Sequence, residues 1–415
     1  MSDERLRDLE SLIKTYKDVR RENLSEKSSI FILNMMNKEL ELNKLEWIYL
    51  KLCGNKGQEI GYRLADNDIP HLCATLLTDP VINSLDLRYN RISDDGASIL
   101  ANFLKEDLCL KELNLKGNFI SDKGASEIGE ALKCNHTLEK LDISVNPISR
   151  EGGIALADGL LHNNTLTHLD VANCDLEISA AIAFATALRS NKSILYFNID
   201  RLTIFSNQEE HTVHLSEALS VNTEMRELHM SKCFIHDFGT NRIADALDRN
   251  KILQVLDLSA NGISTDGGAA IARALSNRCS LTILDLAYNQ IKCQGAVAIA
   301  KALEQANQRL IVLNLSFNKI GERGLCALGE SLYTNDSIRF IYLWGNNITD
   351  KAAEIWANLI LTERLREDSI DLKPYKVDGK IQVALQVPKK EQKGYRYPIP
   401  SWCGQPNEER SLAIF

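Results

Sequence analysis

The chain has 415 residues, 44% of them hydrophobic and 25% charged, with a net charge of −8. That composition excludes a disordered or collagen-like chain, and the acidic balance argues against a nucleic-acid binder, which usually carries a basic face. No apolar run reaches the 18 residues a membrane-spanning helix needs. In chain order, residues 1–58 come first. Leu6, Leu9, Ile13 and Tyr16 recur at helical spacing, as do Ile30, Leu33 and Met36. They predict two or three helices that cap whatever follows. The opening Met-Ser-Asp-Glu-Arg-Leu-Arg is charged and lacks the apolar core of a signal peptide. The ten cysteines are scattered singly without a Cys-x-x-Cys. Reduced thiols and an intracellular site, cytoplasm or nucleus, are expected.

From about residue 59 to 360 the chain repeats a phrase, Leu-x-x-Leu-x-Leu-x-x-Asn-x-Ile, followed by a helical stretch ending in Ala-Leu. The Asn position falls at Asn67, Asn90, Asn118, Asn146, Cys174, Leu202, Cys233, Asn261, Asn289, Asn318 and Asn346, mostly 28 residues apart. In the unit around Asn118, Leu113 and Leu115 are two apart, the period of a strand, so both face one side. Asn118 marks a bend where a short polar side chain can satisfy buried backbone groups. Ser121 sits where a helix cap belongs, and Ser93, Ser149 and Ser264 recur there. One such coil cannot bury its leucines; eleven stacked coils can. The loop 205–214 departs from this pattern at the irregular unit around Leu202, as a hinge, a contact loop or sequence drift. After residue 360 the period stops. Asp378-Gly379 between alternating apolar and polar residues predicts a β-hairpin within 361–387. A basic, aromatic tail, 388–415, follows with Lys389, Lys390, Lys393, Arg396 and Trp402.

This phrase and spacing resemble the ribonuclease-inhibitor type of leucine-rich repeat. The resemblance implies an α/β solenoid, a horseshoe with parallel strands on the concave side and helices on the convex side. The helical N-terminal cap, the repeats and the Pro-Tyr-x-Val-Asp-Gly stretch at 374–379 also resemble one vertebrate group of leucine-rich-repeat-containing proteins. That likeness implies a non-enzymatic scaffold of cytoplasm and nucleus, with the nucleolus as a candidate compartment, linked to stem- and germ-cell differentiation. Similar proteins in ciliary axonemes make a structural role there the alternative. The same repeat type builds the GTPase-activating protein for Ran. Arg88 and Arg91 lie near an early bend, but the characteristic early insertion with its arginine is not recognisable here, and the tail is basic rather than acidic.

Two columns of the concave strands stand out. Asp86, Asp142, Asp170, Asp257 and Asp285 recur in one, either an acidic groove for a basic partner or a solvated ladder. In the column before it, Val255, Ile283, Val312 and Phe340 are apolar where water is expected, and Tyr288, Phe317, Tyr342 and Trp344 stand beside them. Such a strip marks a protein-binding site or a surface that the chain itself covers; Trp402 and its tail are the candidate cover. No phosphate loop, nucleophile elbow or metal-ligand spacing occurs. No catalytic residue, cofactor, metal or small-molecule substrate is therefore expected, and the partner sought is a protein.

Overall fold

The computed structural model describes residues 2–19, 26–42, 48–54, 63–205, 209–277 and 279–386. The chain forms two compact units, residues 1–206 with 222–225, and residues 207–221 with 226–415.

The first unit opens on helices Ser2–Val19 and Glu26–Leu42. Leu9, Leu12, Ile13 and Tyr16 are buried on the first, Phe31, Ile32 and Met36 on the second, while Ile30 points outward. The buried face of the second helix is therefore turned slightly from the one read off Ile30 and Leu33. Six parallel strands follow in sequence order: β1 (Tyr49–Lys51), β2 (Ser84–Asp86), β3 (Glu112–Asn114), β4 (Lys140–Asp142), β5 (His168–Asp170) and β6 (Tyr196–Asn198). They pair without stagger, Leu85 beside Leu113, Leu113 beside Leu141, Leu141 beside Leu169. These leucines point toward the helices and are buried. Each contributes roughly 1.5–3 kcal/mol of hydrophobic stabilisation. The returning helices, Asp94–Glu106, Asp122–Cys134, Ser149–His162 and Ile178–Ser190, pack side by side. Gly129 and Gly159 let two of them touch; a Cβ on Gly159 would sit 2.5 Å from the Gly129 carbonyl oxygen.

Three ladders tie coil to coil. At the bend, Asn118 donates from Nδ2 to the carbonyls of Leu87 (3.0 Å) and Leu115 (2.8 Å), and its Oδ1 accepts from Ile92 N (3.2 Å). Cys174 keeps a weaker version, its thiol donating to the Ile143 carbonyl at 3.3 Å. The first rung differs from the sequence reading. Asn67 lies in a 3-10 turn, Asp66–Asp68, and is exposed. Since Tyr49 pairs with Ser84, the residue equivalent to Asn90 is residue 55, outside the described residues. At the helix starts, Ser93 caps as expected, its Oγ accepting from Asp95 N (3.4 Å), whereas Ser121 and Ser264 hold the cap position without a side-chain cap bond. Asp94 accepts from Ser121 N (2.7 Å), Ser121 Oγ (2.6 Å) and Gly124 N (2.9 Å) of the next coil. Ser149 is itself the first residue of its helix. A third ladder runs past the helix ends. Asn135, Asn163 and Asn191 donate to Leu104, Leu132 and Leu160 carbonyls at 2.7, 2.8 and 3.0 Å. All three are buried, so their Asn-x-Ser/Thr triplets serve packing.

The second unit repeats the plan with β7 (Glu227–His229), β8 (Val255–Asp257), β9 (Ile283–Asp285), β10 (Val312–Asn314) and β11 (Phe340–Tyr342). Its first helix is Glu210–Val221, so Glu210 to His214 of the irregular segment are helical. Glu209 takes the capping task, accepting from His236 N (3.2 Å) and Gly239 N (2.7 Å). Ile370 pairs with Ile341 at the last strand. The Arg364 guanidinium closes the final coil by donating to the carbonyls of Leu332 (2.8 Å), Ile338 (3.2 Å) and Asn335. A hairpin, β12 (Leu372–Val377) and β13 (Lys380–Leu385), turns at Asp378-Gly379, both with positive φ as a type I′ turn requires. It leans on the helix Asp350–Leu361. The tail with Trp402 lies outside the described residues.

Candidate protein-binding surface

Residues two apart on a strand share a face. Leu256, Leu284, Leu313 and Ile341 face the helices, so Val255, Ile283, Val312 and Phe340 belong to the opposite, helix-free face, as do Asp257, Asp285, Asn314 and Tyr342.

On the first unit this face is polar and internally neutralised. Lys140 pairs with Glu112 at 3.1 Å, and Ser84 Oγ donates to Glu112 at 3.0 Å. Asp86 accepts from Tyr49 Oη (3.1 Å) and pairs with Arg88 (3.1 Å). Arg88 is thus held in place rather than projecting, while Arg91 is exposed. Asp170 accepts from Ala172 N (3.0 Å) and Asn198 Nδ2 (3.1 Å). Burial, then the charge of neighbouring Asp142, pushes its carboxyl up to about 7. Asp142 is shifted the same way, burial first.

The acidic column is not a solvated groove. Asp86, Asp170, Asp257 and Asp285 are all buried, and Asp142 is half-buried. Strands only about 4.8 Å apart crowd the column, and each carboxylate turns back to bond its own bend: Asp257 with Ser259 N (2.8 Å), Asp285 with Ala287 N (2.8 Å). His229 sits between Glu227 (2.7 Å) and Asp257 (3.7 Å). Burial opposes the charge on Asp257, but the hydrogen bond and charge of His229 together with the bonds from Ser259 hold its carboxyl below the usual carboxylate range.

The apolar column of the second unit is drier than expected. Val255, Ile283, Val312 and Tyr342 are 3%, 5%, 0% and 6% exposed and form one cluster, with Phe340 packed against it. The exposed aromatic surface lies one step further, at the bend. Tyr288 and Phe317 stack with ring centroids 4.5 Å apart and planes 7° apart, yet remain 51% and 39% exposed. Both have left-handed backbone, φ 57° and 55°. The next position in this row is Gly345, φ 79°, whose missing Cβ would fall 2.3 Å from the Phe317 ring. Only glycine lets that backbone lie flat on the stack. Trp344 is half-buried beside it, its backbone N–H donating to Asp371 Oδ2 (2.9 Å). Asp371 also takes Leu343 N (2.8 Å) and Ser316 Oγ (3.4 Å). Asp371 and Ser316 gave no signal in the sequence, since the bonds join segments 55 residues apart.

Among the described residues, no three or more His, Cys, Asp or Glu form a group that could hold a metal ion. The nine described cysteines are free thiols. No described helix is long and apolar enough to cross a membrane.

The family described as Leucine Rich repeat matches residues 79–101, 107–129, 134–157, 162–185, 249–272, 278–300 and 306–329. The chain is 48% identical to leucine-rich repeat-containing protein 34 of Rattus norvegicus over 409 residues, 98% of each chain. It is 46% identical to the protein of that name from Mus musculus over 361 residues, 86% of this chain and 87% of the mouse protein. Among solved structures, an internalin from Listeria monocytogenes is 16% identical with a TM-score of 0.41, covering 84% of this chain and 92% of that one.

Proposed function

The chain belongs to the leucine-rich repeat-containing protein 34 family, and from that premise we propose that it is a non-enzymatic protein–protein interaction scaffold working through the helix-free face of its second unit. The observation that carries this reading is the exposed Tyr288–Phe317 stack. Stacked aromatic rings offer a large, rigid, partly wet surface, and such residues dominate binding energy when a partner buries them. The surface we assign comprises Tyr288, Phe317, Phe340 and Trp344 at its open edge, with Val255, Ile283, Val312 and Tyr342 forming its floor. A partner with aromatic, proline or guanidinium groups fits the stack. The acidic carboxylates are spent on their own bends and serve as a secondary contact at most.

We further propose that it acts in cytoplasm and nucleus, the nucleolus included, in differentiating stem and germ cells, as the sequence resemblance of its cap, repeats and hairpin stretch implies. The test is a pull-down from a native source at low and moderate salt, read by mass spectrometry, with the wild-type chain beside Tyr288→Asp, Phe317→Asp. Loss of the dominant partner in the variant supports the surface; undiminished recovery refutes it. Nuclear or nucleolar partners support the compartment, and axonemal partners would move the role to the cilium.

A further inference from the structure

We propose that the outer edge of β13 (Lys380–Leu385) is a dimerisation surface, pairing strand against strand with β13 of a second copy of this chain. The register of the hairpin decides which groups that edge offers. Gln386 N donates to the Asp371 carbonyl at 2.8 Å, so residues 371 and 386 form a hydrogen-bonded pair. Alternation along an antiparallel ladder then makes Lys373–Ala384, Tyr375–Gln382 and Val377–Lys380 the other bonded pairs. The two-residue turn at Asp378-Gly379 fits the same register. The amides and carbonyls of Ile381, Val383 and Leu385 therefore point away from β12. Among the described residues, β13 has β12 as its one sheet neighbour, and no amide or carbonyl of Ile381, Val383 or Leu385 makes another backbone bond.

The two edges of the hairpin are built differently. On β12 the outward positions are Leu372, Pro374 and Lys376. Pro374 has no N–H, and proline and lysine at such positions keep an edge from being extended. On β13 the outward positions are Ile381, Val383 and Leu385, each with an N–H to donate and none charged. One edge of the hairpin is closed and one is open. The open edge takes a single strand and the pairing stops there, which is what a closed two-fold dimer requires.

The sequence of the edge says which strand fits it. Lys380-Ile-Gln-Val-Ala-Leu-Gln386, laid antiparallel against itself about Val383, sets Ile381 opposite Leu385, Gln382 opposite Ala384 and Lys380 opposite Gln386. No like charges meet, and the aliphatic pairs fall on one side of the extended sheet. This register forms on the order of six backbone hydrogen bonds between the copies. It also sets Leu385, 49% exposed in the single chain, against Ile381 of the second copy, and aliphatic cross-strand pairs of this kind stabilise a sheet.

The test is sedimentation equilibrium of the full-length protein over a range of concentrations. In parallel, mixed light and heavy-isotope copies carrying Gln382→benzoylphenylalanine are photo-crosslinked and mapped. The result expected is a monomer–dimer equilibrium, with crosslinks between copies at residues 380–386. Gln382→Glu with Ala384→Glu puts like charges opposite one another across the two-fold and should weaken dimerisation roughly tenfold. Within one copy, Lys373 lies opposite residue 384, so the hairpin itself is kept and its amide protection should persist. Mixing that variant with Gln382→Lys, Ala384→Lys should restore a dimer of unlike copies, a rescue that an unfolded hairpin could not give. A monomer at every concentration overturns the proposal and leaves the edge to a strand of another protein. A dimer crosslinked elsewhere, or one that the charged substitutions leave unchanged, overturns it too. So do crosslinks within one copy to residues 387–415, which would make the chain's own following segment the occupant. No residue assigned to partner binding above takes part, so this proposal and that surface can fail separately.

Discussion

The two units build the same coil with the same ladders and then finish the helix-free face differently. On the first, the column Ser84, Glu112, Lys140, His168 is a chain of polar contacts. On the second, the same column reads Val255, Ile283, Val312, Phe340 and is dry. The backbone is indifferent to this choice, because the residues that fix the coil point the other way. The helix-free face is free to vary.

The ladders are the common ground, and breaking them should cost both units alike. Asn289 donates to Leu258, Leu286 and Ala287 carbonyls and accepts from Asn261 and Ile263. Asn289→Ala and Asn118→Ala should each destabilise by about 1–3 kcal/mol, read from urea unfolding. Leu202→Asn should cost less than about 1 kcal/mol, because carbonyls of Val171 and Ile199 stand 31 and 3 residues back, the spacings Asn118 uses. A larger loss for Leu202→Asn than for Asn118→Ala would contradict the ladder.

The faces should then separate the units. Val312→Ala removes two fully buried methyl groups and should cost roughly 1.5–2.5 kcal/mol. Lys140→Ala, at the equivalent position of the first unit, breaks a partly exposed pair and should cost less than about 1 kcal/mol. Equal losses would mean the second face is not a packed one.

The units should also respond to pH with opposite signs. Asp170 keeps a proton up to about pH 7, whereas the unfolded chain releases it near pH 4. The folded state binds the extra proton in that window, so stability of the first unit falls as pH rises from about 4 to 7. Asp170→Asn should raise the unfolding free energy at pH 8 by on the order of 1 kcal/mol, read from urea unfolding, and have no such effect near pH 4. In the second unit, His211 is buried with Nδ1 lacking a partner and Nε2 against the Cys233 carbonyl at 2.9 Å. Burial lowers its pKa. The unfolded chain then binds the extra proton below about pH 6.5, and stability falls as pH drops through that range. Asp257, held low by His229, adds to the loss under stronger acid. His211→Phe should flatten the pH dependence between about 7 and 5; an unchanged slope would remove His211 from the account. Smallest in stability is Tyr288→Ala, within about 1 kcal/mol at this exposed site, although the same change should weaken partner recovery.

The repeat, the strand positions and the Asp378-Gly379 hairpin were legible because each follows a local rule of spacing or turn chemistry. The aromatic bend residues Tyr288 and Phe317 were legible for the same reason. Burial of the face was not. Whether Asp285 or Val312 meets water depends on neighbouring coils, and sequence position alone does not carry that. The first rung was misplaced at Asn67 because no full phrase precedes it to fix the register. The task of Ser121 was misread because its partner, Asp94, sits one coil back. The ladder through Asn135, Asn163 and Asn191 has a 28-residue spacing in the sequence, and its carbonyl partners lie one coil back.

The central claim, that the second unit's helix-free face is the working surface, is tested most directly by the hydrogen-exchange footprint of a recovered partner on the full-length protein. The account predicts protection at 283–290 and 312–319 with 84–91 and 140–147 unchanged. Protection confined to 84–91 and 140–147 would place the site on the first unit and contradict it.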